Sequence, residues 1–357
     1  MYLFGVKTLR FTVRATDDFS PKAPAIAECA TILQRGGLVA IPTETVYGLA
    51  ANALDPAAVK RIFEAKGRPV WDPLIVHLWS FEMVPRVAAD FPKMAQDLAR
   101  RFWPGPLTLL LPKSAQLPTS VTAGRETVAV RVPAHPVARA LLTAADLPLA
   151  APSANRFGRI SPTTADHVLS ELQGRIDAVL DAGPTEVGVE STVLDTLRTP
   201  PLLLRPGGIT REQIEAVVGP VELYSPAPYA PEPETLASPG LAARHYAPTA
   251  RLVLIDGERN ALVKAARDYV ASEGERGDYV GVMAPDGWID ETTLAAGGLV
   301  LFAWGAWSDW AQLGRNLFAG LRYLDKPGVS VILCPLPSAE GMGLALRDRL
   351  MRAARTS

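Results

Sequence analysis

Cysteine and histidine are scarce, with two cysteines and four histidines among 357 residues. Cys29 and Cys334 lie far apart in apolar stretches, with no C-x-x-C pair and no histidine-rich neighbourhood. This pattern excludes a disulfide framework and a zinc site with the usual cysteine spacing. We predict two buried thiols in a reducing compartment and no metal ion bound by the protein's own side chains.

Neither sign of charge is in excess, because 36 lysines and arginines face 37 aspartates and glutamates, for a formal net charge of −1. Proteins whose main task is to coat nucleic acid normally carry a basic surplus, so that class is disfavoured. No apolar run is long and charge-free enough to span a bilayer, and the N-terminal MYLFGVKTLRF lacks the pattern of a cleavable signal. We expect a cytoplasmic protein with no membrane partner.

Two nucleotide-binding fingerprints are also absent. The chain has no G-x-x-x-x-G-K-[ST] motif, and its C-terminal part has no G-x-G-x-x-G. Any nucleotide bound here is therefore held by side chains rather than by a phosphate-binding loop.

The composition that is present, 48% hydrophobic and 20% charged residues, is typical of globular domains with sizeable cores. The length favours two domains. A stretch dense in proline and alanine, from about residue 224 to 248, favours extended structure. We predict a first domain at residues 1–222, a linker at 223–249 and a second domain at 250–357.

In the second block, predicted strands and helices alternate along the chain. The predicted strands are Arg251–Ile255, Tyr279–Met283 and Val329–Cys334, and the predicted helices are Ala261–Ser272, Asp309–Leu321 and Met342–Ala354. This alternation predicts a small Rossmann-like parallel α/β domain.

The most informative stretch runs from Gly36 to Leu78. A helical pattern ends at its Gly-Gly pair, and the apolar run Leu38–Ile41 predicts a short buried strand. Thr43-Glu44-Thr45 would then lie at the carboxyl end of that strand, where open α/β sheets tend to place ligand groups. The alternative is that both threonines are ordinary turn caps.

The next helix is predicted to begin with Asp55 as its cap and Pro56 at its first position. Its last turn carries Lys66, and Arg68 follows at the helix exit. These cations either solvate the helix end or face an anion, and spacing alone leaves both interpretations open.

Two further apolar runs end in a cation. TVAVRV, which starts at Thr127, predicts a strand carrying Arg131, and LLLRPGG carries Arg205. Arg131 either reaches solvent or binds a carboxylate or phosphate.

Two other motifs, LAAPSANRFGRIS and VESTV, add small hydroxyl and amide residues at similar strand ends. Four cations beside hydroxyls predict a polyphosphate site.

Together these motifs resemble the L-threonylcarbamoyladenylate synthases, whose catalytic domain is YrdC-like, in the long two-domain form. The resemblance covers nearly the whole chain through PTETVYGL, KGRP with DPLIVHL, WPGPLTLLL, VAVRVP, APSAN, VESTV, LRPG, SPGLAARHYAP and EGMGLALRDRLMRAA. It implies a twisted mixed α/β domain with a concave basic surface.

The resemblance also implies an enzyme, a nucleotidyltransferase that condenses L-threonine, bicarbonate and ATP to threonylcarbamoyl-AMP and pyrophosphate. Mg²⁺ would accompany ATP as the cofactor. The product would pass to a downstream tRNA threonylcarbamoyltransferase for the threonylcarbamoyladenosine (t6A) modification at position 37 of tRNA.

Carried over by motif, the resemblance implies a threonine pocket formed by Thr45, His77, Arg131, Ala151 and Ser191. The implied ATP pocket is formed by Lys66, Arg68, Asp72, Thr127, Ser153, Asn155, Ser161, Arg205 and Tyr246. Lys66 and Arg68 are the expected catalytic residues, because phosphoryl chemistry depends on positioning and charge stabilisation. Arg131 would bind the threonine carboxylate.

Three points depart from the family pattern or stay open. His77 by itself is equally consistent with a core or cap histidine. Glu44 is equally consistent with a turn carboxylate and is left outside the catalytic set. Ala242 and Ala243 stand where the family commonly has a larger basic or aromatic pair, while Tyr246 is a candidate lid residue.

Two other functions compete with the synthase. One is a carbamoyltransferase step, as in hydrogenase-maturation proteins with a YrdC-like domain, against which the lack of cysteine pairs argues. The other is an RNA-binding module, against which the near-zero net charge argues, although weak RNA binding stays an expectation.

Overall fold

The computed structural model describes residues 7–14, 16–225, 238, 240, 245–274, 277–290, 293 and 297–355. The chain forms two compact units, the first comprising 1–157, 161–186 and 190–241 and the second 158–160, 187–189 and 242–357. The predicted boundaries at 222 and 249 stay predictions. The predicted departures at Ala242 and Ala243 lie outside the described residues. None of the described helices has both the length and the apolar character needed to cross a membrane.

The first unit alternates short strands and helices. Its strands are β1 (Leu9–Thr12), β2 (Val39–Ile41), β3 (Gly48–Asn52), β4 (Ile75–His77), β5 (Leu107–Pro112), β6 (Thr127–Arg131), β7 (Leu149–Ala150), β8 (Ala178–Asp181), β9 (Thr192–Asp195), β10 (Leu202–Arg205) and β11 (Glu222–Leu223). Its helices are α1 (Pro24–Gln34), α2 (Pro56–Lys66), α3 (Lys93–Phe102), α4 (Thr119–Thr122), α5 (Pro136–Ala145), α6 (Ala165–Leu172) and α7 (Arg211–Val218), with a 3₁₀ helix at Phe81–Arg86.

These strands form one mixed sheet in the order β1-β8-β2-β3-β7-β4-β6-β5-β9-β10-β11. At its centre β4 runs parallel to β6, which places His77 opposite Arg131. The neighbours β7 and β5 are antiparallel to these strands. The carboxyl ends of β4 and β6 therefore carry an imidazole and a guanidinium side by side.

The two faces of the central strands differ in chemistry. Val76 of β4, Leu109 of β5 and Val130 of β6 belong to one buried apolar cluster that also includes side chains of α2 and α3. Because side chains alternate along a strand, the neighbouring residues point to the opposite face. We call this opposite side the polar face, and its polar members are His77, Thr108, Thr127 and Arg131.

Local sequence explains why α2 begins at Pro56 and ends at Lys66, just before Arg68. The Asp55 carboxylate accepts the backbone N–H of Ala57 at 2.9 Å, and Pro56 takes the first helical position. Gly67 ends the helix in the left-handed region at φ 61°, which favours glycine. The predicted cap is confirmed, and the turn at Gly67 redirects the chain between Lys66 and Arg68.

The second unit contains a separate sheet of four parallel strands in the order β12-β15-β13-β14. Its elements are β12 (Arg251–Ile255), α8 (Arg259–Gly274), β13 (Tyr279–Pro285), β14 (Leu299–Gly305), α9 (Trp310–Leu324), β15 (Val329–Pro335) and α10 (Gly341–Ala353). The predicted Rossmann-like parallel layering is confirmed.

Sequence analysis located three of these four strands and missed β14. The run LVLFAWG that forms β14 follows Gly297-Gly298 and has the apolar character of a buried strand, so the signal was present. The predicted mixed α/β class of the first unit is also confirmed. Both Cys29 and Cys334 are buried free thiols, as predicted.

Candidate functional site

Arg131 is buried at the end of β6, with 3% of its surface exposed, so the interpretation that it reaches solvent is wrong. Its Nε donates to the Gly105 carbonyl at 3.2 Å, and its Nη1 donates to Thr45 Oγ1 at 3.0 Å. Its Nη2 lies 2.6 Å from Glu44 Oε1 in an ion pair. One N–H on each terminal nitrogen has no partner among the described residues.

The hydroxyls beside Arg131 form an ordered chain. Thr43 Oγ1 donates to the Val46 carbonyl at 2.6 Å and lies 2.8 Å from Thr45 Oγ1. Because Thr43 uses its proton on Val46, the Thr45 hydroxyl donates to Thr43 while it accepts from Arg131. Thr43 caps the turn, because its Oγ1 accepts the backbone N–H groups of Thr45 and Val46, while Thr45 holds the guanidinium.

His77 is a neutral imidazole at physiological pH. Burial, and next the charge of Arg131, lower the pKa of His77 to about 3. The side chain is 3% exposed, and its Nδ1 has no hydrogen-bond partner among the described residues. An imidazole in this state can donate or accept a single hydrogen bond without adding charge beside Arg131.

Lys66 is buried as well, with 2% of its surface exposed, which excludes the interpretation of a solvated helix end. Its Nζ donates to the backbone carbonyls of Ser153 and Asn155, each at 2.5 Å. The APSAN motif thus holds this amine through its backbone. Burial, and next the charge of Arg68, lower the pKa of Lys66 to about 7.

Arg68 and Asp72 form a second buried ion pair, with Nη2 and Oδ1 at 2.9 Å. Arg68 also donates to the carbonyls of Asp72 and Pro73 at 3.1 and 2.7 Å. Burial raises the pKa of Asp72 above its usual value, while the charges of Arg68, Lys66 and Arg205 oppose that rise. The loop after α2 therefore presents two cations and one carboxylate away from bulk water.

Arg205 is buried at the end of β10 and donates to Ser191. Its Nη2 lies 2.9 Å from the Ser191 carbonyl and 3.2 Å from Ser191 Oγ. The Ser191 hydroxyl also lies 2.8 Å from Thr108 Oγ1 on the polar face. Ser191 thus joins a predicted ATP residue to the face that carries Arg131.

Other predicted site residues lie around these groups. Ser161 Oγ donates to Glu190 Oε1 at 2.6 Å, and the Ala151 N–H donates to the Ile75 carbonyl at 2.9 Å beside β4. Thr127 shares the polar face with Arg131 but sits about 13 Å along β6 from it, at the rise of an extended strand. The predicted site residues are therefore spread out rather than clustered at one point.

Tyr246 belongs to the second unit, unlike the rest of the predicted site. It is 1% exposed and has φ 63°. Its ring stacks on Phe318 at 5.6 Å between centroids, and the Arg349 guanidinium lies 5.3 Å from the ring centre. Its assignment to ATP stays a prediction, as do the roles assigned to the other site residues.

Sequence analysis missed three partners in this site. Sequence patterns do not predict the pairing of Glu44 with Arg131, the Gly105 carbonyl as an acceptor, or the contact of Thr108, within WPGPLTLLL, with Ser191. The polar residue at position 108, between apolar neighbours of a predicted strand, was the available signal. The Arg131 partners are long-range contacts that local pattern does not encode.

The arrangement suits an elongated anionic ligand with an amino-acid-sized end. Arg131 offers two N–H groups to a carboxylate, whereas Lys66, Arg68 and Arg205 offer positive charge to phosphates. Within the described ranges no group of three or more His, Cys, Asp or Glu side chains is placed to hold a metal ion.

Family models match almost the whole chain. A model described as telomere recombination, which groups the Sua5, YciO and YrdC proteins, matches residues 31–207. A model for the C-terminal domain of threonylcarbamoyl-AMP synthase matches residues 209–355.

Alignments with similar known proteins also cover most of this chain. A threonylcarbamoyl-AMP synthase of Pyrococcus abyssi is 46% identical over 325 residues, which cover 91% of this chain and 92% of that protein. One of Bacillus subtilis is 43% identical over 350 residues, which cover 98% of each. A crystal structure of Pyrococcus abyssi Sua5 in complex with L-threonine matches at a TM-score of 0.88 and 44% identity, over 97% of this chain and 98% of that chain.

The low pKa of Lys66 predicts a pH dependence of stability. Between pH about 7 and 10.5 the unfolded chain holds a proton on Lys66 that the folded chain does not, so the free energy of unfolding rises with pH across that window. Lys66→Met removes this contribution. Urea unfolding at pH about 7 and about 9 should therefore show a smaller rise for the variant than for the wild type.

Lys60→Met is the matched control, because Lys60 lies on the same helix with 77% of its side chain exposed. It should keep the wild-type rise. Equal pH dependence in wild type and Lys66→Met would contradict the lowered pKa of Lys66.

Proposed function

Because the chain belongs to the threonylcarbamoyl-AMP synthase family, we propose that it condenses L-threonine, bicarbonate and ATP to threonylcarbamoyl-AMP and pyrophosphate. The observation that carries the proposal is the presence, in one unit, of a buried guanidinium with two unpartnered N–H groups and a separate set of three buried cations. The first suits an amino-acid carboxylate and the second a triphosphate.

Threonine would bind at the Arg131 end of the polar face. Its carboxylate would accept the two remaining N–H groups of Arg131. The unpartnered Nδ1 of His77 supports recognition of the substrate hydroxyl or amine, because a neutral imidazole provides a hydrogen bond without competing for the carboxylate. Ala151 would line the niche for the methyl group. The complex of the Pyrococcus abyssi protein with L-threonine supports this choice of amino acid.

ATP would bind across Lys66, Arg68 and Arg205. Lys66 has a pKa of about 7, so a nearby phosphate would favour its protonated form, and a charged amine would then face the triphosphate. Thr127 lies about 13 Å from Arg131 along β6. That separation supports an extended ligand with its amino-acid end at Arg131 and its nucleotide end toward Thr127.

The reaction would proceed without a covalent bond to the protein. The neutral amine of threonine attacks the carbon of bicarbonate, water leaves, and a carbamate forms. A carbamate oxygen then attacks the α-phosphorus of ATP, and pyrophosphate leaves with the electrons of the broken P–O bond. Lys66 and Arg68 would stabilise the charge that develops on the phosphates, and Arg131 would hold the attacking group in line.

We treat Mg²⁺ as part of the nucleotide substrate. The described residues lack a carboxylate cluster for it, and Asp72 is already engaged by Arg68. When bound, Mg²⁺ would neutralise charge on the triphosphate. The protein's own contribution is then the placement of its buried cations around MgATP.

We also propose that the product is consumed in t6A modification of tRNA by a downstream threonylcarbamoyltransferase in the cytoplasm. A mixed carbamic–phosphoric anhydride is an activated acyl donor, so an amine on the tRNA base that is to be modified is a fitting acceptor. Direct RNA binding is the weaker alternative, because the net charge of −1 supplies no basic surplus.

The experiment that tests the proposal is pyrophosphate release from ATP and bicarbonate with threonine, serine, valine or no amino acid, with the nucleotide product identified by mass. We expect release that depends on threonine and a product with the mass of threonylcarbamoyl-AMP. Absence of release with every amino acid would contradict the proposal.

Replacing Arg131 with alanine tests the amino-acid end of the site. Loss of a charge-assisted pair with the substrate carboxylate should raise the KM for threonine about 10- to 100-fold. The KM for ATP should change by less than about threefold, because the proposal places ATP on Lys66, Arg68 and Arg205 and not on Arg131. Steady-state kinetics with each substrate varied in turn measures both values.

Arg61→Ala is the control, since Arg61 pairs with Asp177 at 2.8 Å outside the site. It should leave both KM values near those of the wild type. Equal increases in both KM values for Arg131→Ala would place Arg131 outside the threonine pocket. Weakened, salt-sensitive RNA binding with unchanged threonine kinetics would favour the RNA-binding alternative.

A further inference from the structure

Glu44 is a buried carboxylate that the proposed reaction does not use. It lies in the turn between β2 and β3 with 3% of its surface exposed. Burial raises the pKa of Glu44, but the charge and hydrogen bond of Arg131 and the backbone N–H groups of Glu44 and Ala134 outweigh burial and hold the pKa below its usual value. Glu44 is therefore charged at neutral pH.

Three acceptors hold the Arg131 guanidinium from different sides. Two are neutral, the Gly105 carbonyl and the Thr45 hydroxyl. The third is Glu44, whose Oε1 makes the shortest of the three contacts at 2.6 Å. A buried guanidinium without a charged partner is strongly disfavoured, so Glu44 is the acceptor on which the position of Arg131 depends most.

The ion pair also joins two elements that build the same pocket. Glu44 directly precedes Thr45 in the β2–β3 turn, while Arg131 ends β6. Fixing Glu44 against Arg131 therefore fixes the Thr45 hydroxyl against the same guanidinium. Loss of the pair would loosen both threonine-pocket residues together.

Glu44 is not suited to bind the substrate carboxylate itself. Both of its carboxylate oxygens are sealed from solvent. Nη2 of Arg131 is equally buried, so charge and not access separates the two groups: a negative Glu44 repels a substrate carboxylate, which would pair with the remaining N–H groups of Arg131 instead. Any favourable effect of Glu44 on binding of the substrate carboxylate therefore passes through Arg131.

We propose that Glu44 is a positioning residue, which orients the two free N–H groups of Arg131 toward the carboxylate of the amino-acid substrate. This inference rests on the proposed function, because it assumes that Arg131 binds that carboxylate. It adds a residue that the family motif alone left outside the site.

The sign of the effect separates positioning from simple electrostatics. Removing a negative charge beside Arg131 makes the pocket more positive, which by Coulomb attraction alone would tighten binding of a carboxylate. Releasing Arg131 from its fixed orientation would weaken binding instead. The two accounts predict KM changes for threonine in opposite directions.

The test is steady-state kinetics of Glu44→Gln, with pyrophosphate release measured against threonine and ATP in turn. We expect the KM for threonine to rise about tenfold or more, as when a buried charge pair loses one charge, and the KM for ATP to change by less than about threefold. Glu44→Asp keeps the charge on a shorter side chain and should recover part of the loss.

A double-mutant cycle with Arg131→Lys tests whether Glu44 acts through Arg131. A lysine cannot present two parallel N–H groups, so Glu44→Gln should add little to the KM for threonine in that background. Asp177→Asn is the matched control, because it removes a carboxylate paired to Arg61 at 2.8 Å elsewhere in the first unit. It should leave the KM for threonine unchanged.

A threonine KM that stays equal or falls in folded Glu44→Gln would overturn the inference, and so would full additivity with Arg131→Lys. If Glu44→Gln does not fold, Glu44→Asp decides the point by the same split between the two KM values. Wild-type protein without threonine-dependent activity would instead contradict the proposed function, so the two failures are distinguishable.

Discussion

Buried positive charge is the constraint on which the site depends. Lys66, Arg68, Arg131 and Arg205 are each less than a tenth exposed, and each is held by fixed acceptors of the protein. Carbonyls hold Lys66, Asp72 holds Arg68, Glu44 holds Arg131 and Ser191 holds Arg205. The free-energy cost of desolvating these groups is incurred during folding and not on ligand binding. The cations are therefore already oriented before a ligand binds. The apolar cluster on the other face of the central strands supports that arrangement.

The two ends of the site differ in how firmly their charge is set. Glu44, paired with Arg131, is ionised and His77 beside it is neutral, so the proposed amino-acid end has one well-defined state. Lys66, with a pKa of about 7, changes its charge near neutral pH. In the proposed function, the nucleotide end would therefore gain a proton when phosphates bind, whereas the protonation of the amino-acid end would stay the same.

Much of the fold was readable from local pattern. The cap at Asp55, the strand carrying Arg131 and the alternation of β12, α8 and β13 all follow from short-range preferences. The positions of Lys66 and Arg205 at element ends were also visible. The partners were not, because Glu44 meets Arg131 and Ser191 meets Arg205 only through sheet topology. Whether a cation at a strand end is solvated or buried is decided by that topology rather than by its neighbours in sequence.

The most direct test of the account is a crystal structure of the protein with L-threonine and a non-hydrolysable ATP analogue bound together. The account predicts the threonine carboxylate on Arg131, the triphosphate against Lys66, Arg68 and Arg205, and the threonine amine directed toward the α-phosphorus. Threonine bound away from the polar face, or phosphates that leave the three cations without contact, would contradict it.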